Sequence, residues 1–123
     1  MARKQRVLVA EDEEDVRFLI VSMLERDGRF EVVGDARNGA EAVALAQELQ
    51  PDSILLDLMM PKMDGRRALP LIRSAVQGCS IVVLSAVPAA TVGPDAWLLA
   101  DAYLGKHELV DVPGVLASLS STG

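Results

Sequence analysis

The sequence predicts an α/β fold in which a five-stranded parallel sheet is covered by helices on both faces. Short apolar runs alternate along the chain with amphipathic stretches, the pattern of strand and helix in turn. The runs themselves hardly alternate polar with apolar, as is characteristic of strands buried on both faces. Half of the 123 residues are hydrophobic but only 3% are aromatic, so the chain can bury a sizeable core, and that core is aliphatic.

The predicted strands are residues 7–10 (VLVA), 32–36 (VVGDA), 54–57 (ILLD), 81–85 (IVVLS) and 102–104 (AYL). Between the first two lies a helix whose apolar stripe is Val16, Leu19, Ile20, Met23 and Leu24, with Glu14, Arg17, Ser22 and Glu25 opposite and Gly28 as terminator. Asn38 can cap a second helix carrying Ala42, Leu45, Ala46 and Leu49, which Pro51 stops. A third starts near Gly65 and carries Ala68, Leu69, Leu71, Ile72 and Ala75; Pro70 inside it is expected to kink or split it. Pro88, Gly93 and Pro94 predict a loop and then a short fourth helix, with Pro94 in its first turn. Asp111 and Pro113 are placed at the start of a last helix that frays into SSTG.

Charge and composition exclude several functions. Eighteen acidic residues against twelve basic ones leave a net charge of −6, which repels phosphate backbones, so direct nucleic-acid binding is not expected. The single cysteine, Cys79, permits no internal disulfide and no cysteine-cluster metal site, and beside a buried strand it reads as a small apolar filler. The basic MARKQR is followed by only four apolar residues before EDEED, too few for a secretory segment, and no run approaches membrane-spanning length. The chain therefore reads as soluble and cytoplasmic, with no membrane partner.

In an open parallel sheet, ligands gather outside the carboxyl ends of the strands. Those ends carry Glu11 and Asp12, Asp57, Ser85 and, past the fifth strand, Lys106. Three carboxylates in one pocket repel one another, and one ammonium does not balance them. A hard divalent cation such as Mg²⁺, which takes carboxylate and phosphate oxygens, would complete the charge. Asp57 could then attack a phosphoryl donor, with Lys106 and Ser85 stabilising the transferring group. The blander readings are that Glu11-Asp12 only favours a helix dipole, that Asp64-Gly65 is a turn and nothing more, that Tyr103 is core packing, that His107 is an exposed bystander, and that Trp97 covers the sheet edge.

The segments VLVAEDEEDVR, PDSILLDLMMPKMDG, IVVLSA and DAYLGKHE, in that order, closely resemble the receiver domain of two-component response regulators along nearly the whole chain. The stretch FEVVGDARNGAEAVALAQELQPD is most similar to receivers that precede a helix-turn-helix output domain. The resemblance implies a single receiver domain over residues 1–123, with a doubly wound, CheY-like sheet in the order 2-1-3-4-5. It implies Asp57 as phosphoacceptor, and Asp12, Asp57 and the Met59 carbonyl as Mg²⁺ ligands, with Glu11 acting through water. Ser85 becomes the switch hydroxyl, Lys106 the catalytic lysine and Tyr103 the switching aromatic. The implied partners are a sensor histidine kinase or phosphotransfer protein and a downstream output domain or protein, and the family also forms homodimers.

Three positions depart from the family pattern. Glu11 stands where aspartate is usual. His107 replaces a proline whose preceding bond is cis in the family, leaving the Lys106–His107 bond either cis or trans. The region between Ser85 and Tyr103 is broken by proline and glycine. Three other functions compete with this reading. A phosphatase using an aspartyl-phosphate needs an acid two residues beyond the nucleophile, where this chain has Met59, so no enzyme activity is expected beyond self-phosphorylation and dephosphorylation. The alternative is a receiver-fold interaction module that works without phosphorylation. A flavodoxin-like cofactor binder lacks its glycine-rich phosphate loop here.

Overall fold

The structure is a computed structural model that describes residues 3–60, 62–86 and 93–120. Five strands form one parallel sheet: β1 (Gln5–Ala10), β2 (Phe30–Ala36), β3 (Ser53–Asp57), β4 (Ser80–Ser85) and β5 (Ala102–Gly105). Their order is β2-β1-β3-β4-β5, as the resemblance implied. All five residues of β3 and the last five of β4 are buried. This double burial is why those runs are continuous Ile, Val and Leu.

Helices cover both faces. On one, α1 (Glu14–Asp27) and α5 (Val112–Ser120) place Ile20, Leu24, Val112 and Leu116 against Val7, Val9, Leu55, Val82 and Leu84. On the other, α2 (Gly39–Leu49) and α3 (Gly65–Ala75) place Ala42, Ala46, Ala68, Leu69 and Ile72 against Leu8, Ile54, Leu56, Ile81 and Val83. The short α4 (Pro94–Leu99) packs on α3. Pro94 opens it as expected, while Pro88 lies outside the described residues, as does the side chain of Trp97.

Local chemistry explains the helix ends. Gly28 closes α1 with φ of 85°, a left-handed conformation that glycine adopts without steric cost. The Asn38 side chain accepts a hydrogen bond from the Glu41 amide at 2.9 Å, and Asp64 accepts from Arg67 at 3.0 Å, so α2 and α3 begin on capped donors. The segment Lys106–Asp111 forms a 3-10 helix ahead of α5, with Pro113 in the first turn of α5.

The structure corrects four expectations. Arg17 belongs to the buried side of α1, only 7% exposed, because its guanidinium donates to the Glu11 carbonyl at 2.9 Å and pairs with Asp35 at 3.3 Å. Leu19, placed in the apolar stripe, is exposed, as is its neighbour Phe18. Leu71 is likewise exposed, since the buried stripe of α3 runs through Ala68, Leu69 and Ile72. Pro70 does not split α3, which is continuous through it.

Candidate functional site

The parallel register brings the chemistry to one rim. Ala10 stands level with Ala36 and Leu56, so Glu11 emerges just beyond the sheet, its amide donating to the Ala36 carbonyl at 3.0 Å. Asp57 is the last residue of β3 and is level with Leu84. Ser85 ends β4, level with Gly105 at the end of β5, and Lys106 follows directly. Every one of these side chains therefore leaves the carboxyl end of the sheet.

The carboxylates of Glu11, Asp12 and Asp57 lie within 4.8 Å of one another. Glu11 and Asp57 are fully buried, whereas Asp12 is exposed at the rim of an open cleft that it lines with Met59, Met60 and Asp64. Asp57 Oδ1 accepts a hydrogen bond from the Met59 amide at 3.0 Å. Lys106 Nζ donates to Glu11 Oε2 at 3.1 Å and lies 3.2 Å from Asp57 Oδ2. Among the described residues no peptide bond is cis, so the Lys106–His107 bond is trans, and the ammonium still reaches the carboxylates.

Electrostatics make this a costly place for an unbalanced negative charge. Burial first, then the neighbouring Glu11 charge, push the Asp57 carboxyl up to about 7, against the Met59 hydrogen bond and the Lys106 charge. For Lys106, burial works against the ammonium, but hydrogen bonds to Glu13 and Glu11 and the Asp57 charge outweigh it and raise its pKa. Among the described residues, two buried side-chain oxygens, Glu11 Oε1 and Asp57 Oδ2, accept no hydrogen bond; for the second, Lys106 offers charge without hydrogen-bond geometry. Unsatisfied carboxylate oxygens facing two further carboxylates are the donor set of a hard divalent cation. The residues present fit Mg²⁺.

Residues 7–107 match the family described as the response regulator receiver domain. The chain belongs to this family. Relatives include a protein-glutamate methylesterase/protein-glutamine glutaminase of Maricaulis maris, 46% identical over 65% of this chain and 20% of that protein. The transcriptional regulatory protein LiaR of Bacillus subtilis is 44% identical over 65% of this chain and 38% of its own length. The fold matches the signal receiver domain of the response regulator NarL from Mycobacterium tuberculosis with a TM-score of 0.84 and 31% identity, over 97% of this chain and 98% of that one. The chain spans about a fifth of the length of the first curated relatives it matches.

In this receiver domain the sequence-predicted residues converge unevenly. Glu11, Asp12, Asp57 and Lys106 form one cluster. Ser85 is buried at the adjacent strand end. Tyr103 is half-buried on the opposite face from α1 and α5, packed against the core cluster that contains Leu8, Ile81 and Val83. The Met59 side chain is 58% exposed at the cleft, whereas Met60 is buried in the core. His107 is exposed, as expected.

Two contributors were missed. Glu13, one residue beyond the carboxylate pair, accepts a hydrogen bond from Lys106 at 3.0 Å. Gly65 is more than a turn residue: its amide donates to the Leu58 carbonyl at 2.9 Å, holding the start of α3 against the end of β3. Asp64-Gly65 reads in the sequence only as a turn, which carries no information about what packs there.

Proposed function

We propose that this receiver accepts a phosphoryl group on Asp57 and thereby switches a partner-binding surface around α4 and β5. The observation that carries the reading is the buried Asp57 carboxylate, whose Oδ2 lacks a hydrogen bond and lies 3.2 Å from Lys106. The donor is a phosphohistidine on a sensor histidine kinase or phosphotransfer protein. An Asp57 carboxylate oxygen attacks phosphorus, the P–N bond breaks, and the imidazole leaves with the electron pair.

Asp12, Asp57 and the Met59 carbonyl would hold Mg²⁺, with Glu11 acting through water. When bound, the metal neutralises charge on the phosphoryl oxygens. Lys106 balances one further oxygen, and the Met59 amide fixes the orientation of the Asp57 carboxylate. Ser85, at the end of β4, is placed to follow the new phosphoryl group, with Tyr103 repacking beside α4. Such a switch is a coupling of about 1–3 kcal/mol on a two-state element.

The domain's own chemistry is confined to gaining and losing this phosphoryl group in the cytoplasm. Its output is a further domain or a separate protein, and the names of its relatives point to methylesterase or transcriptional control. Incubation with Mg²⁺ and acetyl phosphate tests the reading. One hydroxylamine-labile phosphoryl group is expected on the wild type and none on Asp57→Asn; equal labelling of both would refute it.

A further inference from the structure

Glu13 occupies the N-cap position of α1, yet its side chain makes no capping hydrogen bond. A side chain at this position ordinarily accepts from an amide of the first turn. Here it is turned instead to Lys106, accepting a hydrogen bond from Nζ to Oε1 at 3.0 Å. The ammonium has three protons, and it has three carboxylate neighbours: Glu13 at 3.0 Å, Glu11 at 3.1 Å and Asp57 at 3.2 Å. Two of those protons are hydrogen-bonded, to Glu13 and Glu11, whereas Asp57 Oδ2 lies beside the ammonium without hydrogen-bond geometry.

These three partners are unequal. The Glu11 and Asp57 side chains are fully buried, whereas that of Glu13 is 60% exposed. An exposed carboxylate is well solvated when released and is held only weakly by its ion pair. Glu13 is therefore the partner that Lys106 gives up at least cost.

We infer that Glu13 is a positioning residue that holds Lys106 out of hydrogen-bond geometry with Asp57 in the unphosphorylated state and gives it up when a phosphoryl group is built there. This rests on Asp57 being the phosphoacceptor. Glu13 then acts as a brake, and its strength is set by one exposed hydrogen-bonded ion pair, which corresponds to about two- to five-fold in rate or affinity.

The test is the initial rate of phosphorylation of the full chain by acetyl phosphate at saturating Mg²⁺, read by intact mass for the wild type, Glu13→Gln and Glu13→Asp. Glu13→Gln removes the charge. Glu13→Asp keeps the charge but withdraws the carboxylate by about one bond length, ~1.5 Å. Both variants are expected to label about two- to five-fold faster than the wild type. A Glu13→Gln rate equal to or below that of the wild type overturns the inference. So does a fast Glu13→Gln with a wild-type Glu13→Asp, because Glu13 would then act on the anionic donor by charge alone and not by holding Lys106. A wild type that takes no label removes the phosphoacceptor reading itself, and the inference with it.

Discussion

Gly65 lies directly beneath Asp57: a methyl group built on its α-carbon would sit 2.3 Å from the carbonyl oxygen of that residue. The clashing atom is backbone, so a side chain here cannot be absorbed by a rotamer change. Gly65→Ala is expected to destabilise the fold by about 1–3 kcal/mol, read as a lower urea midpoint. The phosphorylation rate should fall as well, because the end of β3 has to move. A midpoint within error of the wild type would show that α3 shifts away without cost.

The raised Asp57 carboxyl makes a signed prediction for the metal-free protein. Its folded value of about 7 lies above its ordinary value of 3.8, so between these limits the folded state holds a proton that the unfolded chain has lost. The Asp57 contribution to stability is thus fully present below pH 3.8 and is lost as pH rises through about 7. In chelator, Asp57→Asn should flatten the fall in melting temperature across this window. Added Mg²⁺ should raise the wild-type melting temperature more at pH 8 than at pH 5, since the metal needs the ionised carboxylate. Equal Mg²⁺ shifts at both pH values would contradict this.

Arg17 links α1 to the acidic site through the Glu11 carbonyl and Asp35. Arg17→Met preserves much of the buried stem while removing the donor that fixes the Glu11 backbone. Mg²⁺ binding, measured by calorimetry, is expected to weaken about tenfold, as when a residue supporting a metal ligand is lost. Unchanged Mg²⁺ affinity in a folded variant would make Arg17 a structural residue only.

Arg73 ties the end of α4 to the sheet. Its guanidinium donates to the Cys79 carbonyl at 2.7 Å, to the Leu99 carbonyl at 2.6 and 3.1 Å, and to Asp101 at 2.8 Å. Leu99 is the last residue of α4, so this one side chain from α3 fixes the C-terminal end of that short helix. Arg73→Met should cost about 1–3 kcal/mol, and amide exchange should accelerate in α4 and at the start of β5 more than in β1. Uniform acceleration across the sheet would show that Arg73 supports global stability alone.

The sequence made the sheet legible because buried parallel strands leave continuous aliphatic runs, and each of the five observed strands contains its predicted run. Gly28, Asn38 and Pro94 mark helix ends through local chemistry that needs no tertiary information, whereas the cap supplied by Asp64 reads in the sequence only as a turn. The phase of α1 was misread because a polar Arg17 was assigned to solvent; only the fold reveals the Glu11 carbonyl and Asp35 that satisfy it. The 3-10 helix Lys106–Asp111 has no periodicity long enough to detect. In the site, Glu11, Asp12, Asp57 and Lys106 were readable because strand ends converge in this topology. Glu13 was hidden inside a run of acids, where nothing local tells the one that meets Lys106 from its exposed neighbours.

The most direct test of the central claim is the location of the phosphoryl group. Chain labelled with Mg²⁺ and acetyl phosphate is reduced with borohydride, which converts an aspartyl phosphate to homoserine, and the product is mapped by tandem mass spectrometry. Homoserine at position 57 alone is the result this account predicts. Homoserine at position 12 would contradict it by moving the acceptor, and a folded chain with no conversion at any position would contradict it and favour a receiver fold that recognises its partner without phosphorylation.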